Sequence, residues 1–73
     1  MDRAMVAGHL EEAERHVTQG EWVLERQRQL ISRLEYGGYN AKLARALLDE
    51  FEVLQARHVA DRDRLRTQLE TFS

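Results

Sequence analysis

No cysteine and no proline occur in this 73-residue chain. The first absence excludes disulfides, a thiolate nucleophile and cysteine-bound metal, and it suits a reducing compartment. The second leaves long helices uninterrupted, because an interior proline costs a helix about 3 kcal/mol. Glycine is scarce, with four residues, and two of them are adjacent at Gly37-Gly38. No apolar run approaches the ~20 residues of a membrane-spanning helix. The opening stretch MDRAMVAGHLEE meets acids early and leads into no long apolar core, unlike an export signal. Charge of one sign is missing as well. Eleven basic and thirteen acidic residues leave a formal net charge of −2, which gives no bulk attraction for nucleic acid or an anionic membrane. We therefore expect a cytoplasmic protein with neither as a partner.

What the chain does contain is two long helical segments and one break, all within a single domain. The break is Tyr36-Gly37-Gly38-Tyr39-Asn40. Gly37 is expected to take the left-handed conformation that ends a helix, and Asn40 to cap the next one. Tyr39 is expected to pack on Ala44 as a staple, and Asp2 to cap the first segment. These signals predict helix 1 over about 3–36, a turn over 37–40 and helix 2 over about 41–71. So short a connection makes the helices antiparallel neighbours.

The apolar spacing carries the fold class. In helix 1, Leu10, Ala13, Val17, Gly20, Leu24, Gln27, Ile31 and Leu34 alternate steps of three and four. That is a heptad seam, and Val23 and Leu30 widen it on one side, in a row continued by His16 and His9. In helix 2 the same alternation runs through Ala44, Leu47, Phe51, Leu54, His58, Asp61, Leu65, Gln68 and Phe72, with Leu48 and Leu69 flanking and Leu43 near the start. Both stripes are wider than a two-stranded coil requires, so each helix is expected to face more than one neighbour. A lone hairpin of this size is marginal. The expected fold is all-α: an antiparallel coiled-coil-like hairpin that dimerises into a four-helix bundle through Leu10, Val17, Val23, Leu24, Leu30, Ile31, Leu34, Leu47, Leu48, Phe51, Leu54, Leu65, Leu69 and Phe72.

Polar residues interrupt both stripes. With Leu34 set beside Ala44, Gln27 would face Phe51 and Gly20 would face His58, its missing side chain leaving room for the imidazole. Two readings follow. In the first, Gln27, His16, His58 and Asp61 form a polar layer that fixes register. In the second, His16, His58 and Asp61 bind a metal or small ligand in the bundle core, with His9 and Glu12 behind them. The second lacks the expected spacing. No Glu-x-x-His occurs to put two ligands on one inner face, and no His-Glu-x-x-His occurs. His9 and His16 are seven residues apart, about 10 Å along the axis, too far for both to reach one ion. The register reading is preferred, and no cofactor is expected.

Catalytic patterns are missing. Serine occurs only at Ser32 and Ser73, and there is no nucleophile elbow, P-loop or dinucleotide fingerprint. The carboxylates fit solvated faces, with Glu11–Arg15 and Arg66–Glu70 at the spacing of helix ion pairs. Arg57, Arg62, Arg64 and Arg66 are interleaved with Asp61 and Asp63, a pattern of a solvated face rather than a phosphate-binding patch. We expect no enzyme. Trp22 falls opposite the seam of helix 1, and Ala46, Val53 and Ala60 form a thin stripe away from the seam of helix 2. Trp22 and Val53 are therefore candidates for docking a protein partner, against the plainer alternative of a ring lying on Arg15 or Arg26.

Three stretches carry a resemblance: HLEEAERHV at 9–17, ERQRQLISRLE at 25–35 and LARALLDEFEVLQARHVADRDRL at 43–65. They are similar to a set of uncharacterised short helical-hairpin proteins of the alphaproteobacterial type, across nearly the whole chain. HVADRDRL at 58–65 is the most specific part. The resemblance implies a bacterial, cytoplasmic, stand-alone small protein and brings no chemistry with it.

Overall fold

In the computed structural model, which describes residues 2–72, two helices lie side by side and antiparallel. Helix α1 spans Arg3–Tyr36 and helix α2 spans Lys42–Glu70. Asp2 caps α1: its carboxylate accepts the Met5 amide at 2.8 Å, satisfying one of the free donors of the first turn.

The turn is a Schellman motif. The Tyr39 amide donates to the Leu34 carbonyl at 2.8 Å and the Gly38 amide to the Glu35 carbonyl at 3.1 Å. The left-handed residue is Gly38, with φ 76, and Gly37 stays right-handed. This corrects the assignment of Gly37, because the motif needs its left-handed residue one position after the last half-helical one. Asn40 accepts the Lys42 amide at 2.9 Å, but the residue at the N-cap of α2 is Ala41, one position later. Nor does Tyr39 staple onto Ala44. Its ring lies against Gly37 and is largely exposed. Ala41 occupies the inner position instead, packed with Ile31 and Ala44.

The seam of α1 follows the expected heptad. Ala13, Val17, Leu24 and Ile31 are buried, Leu10, Gly20, Gln27 and Leu34 are half-buried, and Val6 extends the row by one step. The seam of α2 is rotated by one residue at alternate positions. It runs through Ala41, Ala44, Leu48, Phe51, Gln55, His58, Arg62, Leu65 and Leu69, all buried or half-buried and again in steps of three and four, with Val59 and Gln68 half-buried beside it. Leu47, Leu54 and Asp61, expected on the seam, stand beside it and are exposed. Two apolar clusters result. Val6, Ala13 and Leu65 pack with Leu10 and Leu69 near the termini, and Ile31, Ala41 and Ala44 pack with Leu34 and Leu48 near the turn. Between them, buried Val17 and Leu24 and half-buried Phe51 alternate with Gly20, Gln55, His58 and Arg62.

This core is thin for the size of the chain. Its dimensions are 55 × 14 × 13 Å, and its radius of gyration is 16.6 Å, against about 11 Å for a compact domain of this length. The surface is 5599 Å² for 8.6 kDa, where about 4700 Å² is expected of a globular monomer. No helix among the described residues is long and apolar enough to cross a membrane.

Candidate functional site: the two flanks of the seam

The centre of the hairpin is organised by Gly20 and Gln55. The Gln55 amide nitrogen donates to the Val17 carbonyl at 2.9 Å, and its Oε1 sits in the space a side chain at position 20 would fill. A Cβ on Gly20 would lie 1.7 Å from that oxygen. Oε1 is buried without a hydrogen-bond partner, at a cost of about 1–3 kcal/mol. About two turns nearer the loop along α1, Gln27 donates to the Ala44 carbonyl at 2.8 Å. Gly20 therefore faces Gln55 rather than His58, and Gln27 lies one turn away from Phe51. The register expected from pairing Leu34 with Ala44 is off by about one helical turn. Ala44 packs on Ile31 instead.

His58 stands next to His16, with ring centroids 5.4 Å apart and planes inclined by 48°. His9, Glu12, His16, Asp61 and Arg64 line one open groove there. The structure thus brings His16, His58 and Asp61 to the same stretch of one flank, but the Asp61 carboxylate is engaged by Arg64. Among the described residues no group of three or more histidine or carboxylate side chains is placed to hold a metal ion.

The two flanks of the seam differ in kind. On one, Glu14 pairs with Arg66 across the helices at 3.5 Å and Glu35 pairs with Arg45. Glu21 and Arg28 continue the row on α1, and Glu52 and Val59 continue it on α2, each at heptad spacing. Arg66 reaches across to Glu14 instead of pairing with Glu70, and no Glu11–Arg15 pair forms among the described residues. On the other flank, Val23, Phe51, Leu54 and His58 line a shared groove over Gly20 and Gln55. Leu30 lies seven residues beyond Val23, and Leu47 lies seven before Leu54, so both extend this flank toward the turn. Leu54 is 47% exposed, Val23 41%, Leu47 39% and Leu30 37%. Toward the termini the same flank becomes polar, through His16, His9 and Asp61.

The expected interface residues therefore fall into two sets. Leu10, Val17, Leu24, Ile31, Leu34, Leu48, Leu65 and Leu69 lie on the seam inside one chain, and Phe51 sits at its edge. Val23, Leu30, Leu47 and Leu54 lie outside it, and Phe72 is exposed just past the end of α2. Trp22 and Val53 are exposed and each stands opposite its own helix's seam, so they face away from each other and form no common surface. The Arg26 guanidinium lies 4.9 Å from the Trp22 ring centre. Of the interleaved arginines, Arg64 pairs with Asp61 and Arg66 with Glu14 on exposed faces, whereas Arg62, paired with Asp63, is half-buried on the seam instead of on a solvated face. Val6, Ala41 and Gln55 are buried residues that the spacing did not single out. Gln55 resembles any solvated glutamine, and only its place opposite a glycine marks it. No protein-family model, curated protein or solved structure matches the chain.

Proposed function

We propose that this chain is a structural or protein-interaction module that works as a homodimer, two hairpins joined by their apolar flanks into a four-helix bundle. The observation that carries the reading is the inversion at positions 54 and 55. The hairpin buries polar Gln55, one oxygen unpartnered, and leaves Leu54 half exposed beside it. Leu47, Val23 and Leu30 repeat the pattern on the same flank. A chain built to be stable alone would bury its leucines and expose its glutamine. The surface in excess of a globular monomer, about 900 Å², is close to the ~800 Å² each partner buries in a standard interface. The opposite flank, closed by Glu14–Arg66 and Glu35–Arg45, has no comparable apolar strip. On this reading the protein is cytoplasmic, is not an enzyme, and acts through what the bundle holds or displays.

Melting at different concentrations tests this. A folded dimer gains stability with protein concentration by mass action, so its midpoint rises from low to high micromolar. A midpoint independent of concentration, together with a cooperative transition, contradicts the proposal.

The second reading, a bundle that holds a metal or small ligand at His16, His58 and Asp61, has one observation in its favour: the adjacent imidazoles of His16 and His58. Metal analysis of the purified protein, with melting curves before and after a chelator, distinguishes it. Bound metal and a chelator-sensitive midpoint support the ligand; their absence leaves the pair as part of the register layer.

A further inference from the structure

The apolar flank has a built-in polarity that selects one dimer over another. Two-fold axes lying in the interface plane can run along the helices or across them. An axis along the helices leaves each residue at its own height and swaps left for right. Helix α1 then lies on α2 of the second copy, and every side chain meets the copy of the residue standing across its own groove. Val23 and Leu54 share a groove, so Val23 meets the other chain's Leu54, and Leu30, a heptad on, meets Leu47. An axis across the helices instead lays α1 on α1 and α2 on α2 and reverses the heights.

The charges at the rim of the strip distinguish the two. Arg26 falls midway between Val23 and Leu30 on α1 and lines the groove they border. Glu50 falls midway between Leu47 and Leu54 on α2, three and four residues from each. With the axis across the strip's centre, Arg26 meets Arg26 and Glu50 meets Glu50. With the axis along the helices, Arg26 meets Glu50 twice. Nearer the termini, Glu12 then meets Arg64 and His16 meets Asp61. Glu50 and Glu12 belong to no ion pair within the chain among the described residues, whereas Arg64 already holds Asp61. Like charges across an interface penalise the wrong partner arrangement, and opposite ones favour the right one.

We propose that the two-fold axis runs parallel to the helices, so that each α1 packs on the partner's α2 with both turns at one end and Arg26 paired to Glu50 between chains. This rests on the homodimer reading and specifies its geometry. The absence of cysteine makes the test clean. Chains carrying Arg26→Cys and chains carrying Glu50→Cys are mixed and treated with a short bis-maleimide, each alone and together. Cross-linked dimer in the mixture, and little in either chain alone, is expected. Cross-linking of either variant with itself overturns the arrangement, as does a dimer that cross-links in none of the three samples. Charge reversal gives an independent readout. Arg26→Glu and Glu50→Arg each weaken self-association about tenfold and associate with each other preferentially, with near wild-type affinity. Single reversals that dimerise like wild type also overturn it. A wild-type chain that sediments as a monomer removes the dimer reading itself, which is a separate outcome.

Discussion

The two flanks of one seam differ more than the two helices do. One is bordered by cross-helix ion pairs, Glu14–Arg66 and Glu35–Arg45, in which every side chain remains about half exposed. The other carries Val23, Leu30, Leu47 and Leu54 at similar exposure. Half-exposed charges are at home in water and contribute little to stability. Half-exposed leucines forgo much of the ~1.5–3 kcal/mol that full burial would yield for each. The same degree of exposure is therefore a resting state on one flank and an unused driving force on the other.

The largest effect is expected from breaking the apolar flank. Leu30→Glu with Leu54→Glu places four buried carboxylates in a symmetric dimer and weakens self-association at least a hundredfold, read by sedimentation. Glu21→Gln with Glu52→Gln, on the charged flank, leaves the association constant unchanged. Equal effects from the two pairs would erase the distinction between the flanks.

The next effect sharpens the comparison by asking what holds α2 in its rotation. Gly20→Ala drives a methyl into the Gln55 amide and expels it from the seam. Overpacking of about 1–3 kcal/mol exceeds the ~1 kcal/mol gain in helix propensity, so denaturant unfolding is expected to show a net loss of about 1 kcal/mol. Adding Gln55→Ala to Gly20→Ala should recover most of it. If Gly20→Ala is stabilising by itself, Gln55 does not fix the seam.

Gln55→Met acts in the other direction. It removes an unpartnered buried oxygen while keeping the side chain's length. The oxygen's cost of about 1–3 kcal/mol outweighs the ~0.5–1.5 kcal/mol of the bond to Val17, so stability should rise by about 1 kcal/mol in the same assay. The smallest effect is expected on the charged flank. Glu14→Gln or Glu35→Gln removes one exposed ion pair and costs below about 0.5 kcal/mol. A loss of 2 kcal/mol there would mean that flank is closed by more than solvated pairs.

Much of this was readable from residue order. The seam of α1 followed from the alternation of threes and fours because every residue on it, including Gly20 and Gln27, fits one stripe. Asp2 was readable as a cap because a carboxylate there has a free amide three residues on. The seam of α2 was half readable. Ala44, Phe51, His58 and Leu65 recur every seven residues whichever way the helix is turned, but hydropathy prefers Leu47 and Leu54 over Gln55 and Arg62 as their neighbours. The structure makes the opposite choice. In that choice Gln55 fills the space left at Gly20, a complementarity that is not a property of α2 alone. The turn went astray by one residue for a similar reason: either glycine of the pair can be left-handed, and the Leu34 and Glu35 carbonyls select Gly38. The His16–His58 contact was foreseeable as a shared neighbourhood, while its arrangement depended on the register.

Sedimentation equilibrium of the wild-type chain at micromolar concentration tests most directly whether the apolar flank is covered by a second copy. A reversible species of twice 8.6 kDa, lost in the Leu30→Glu, Leu54→Glu variant, is the predicted result. A cooperative, fully helical species of 8.6 kDa at that concentration would contradict it.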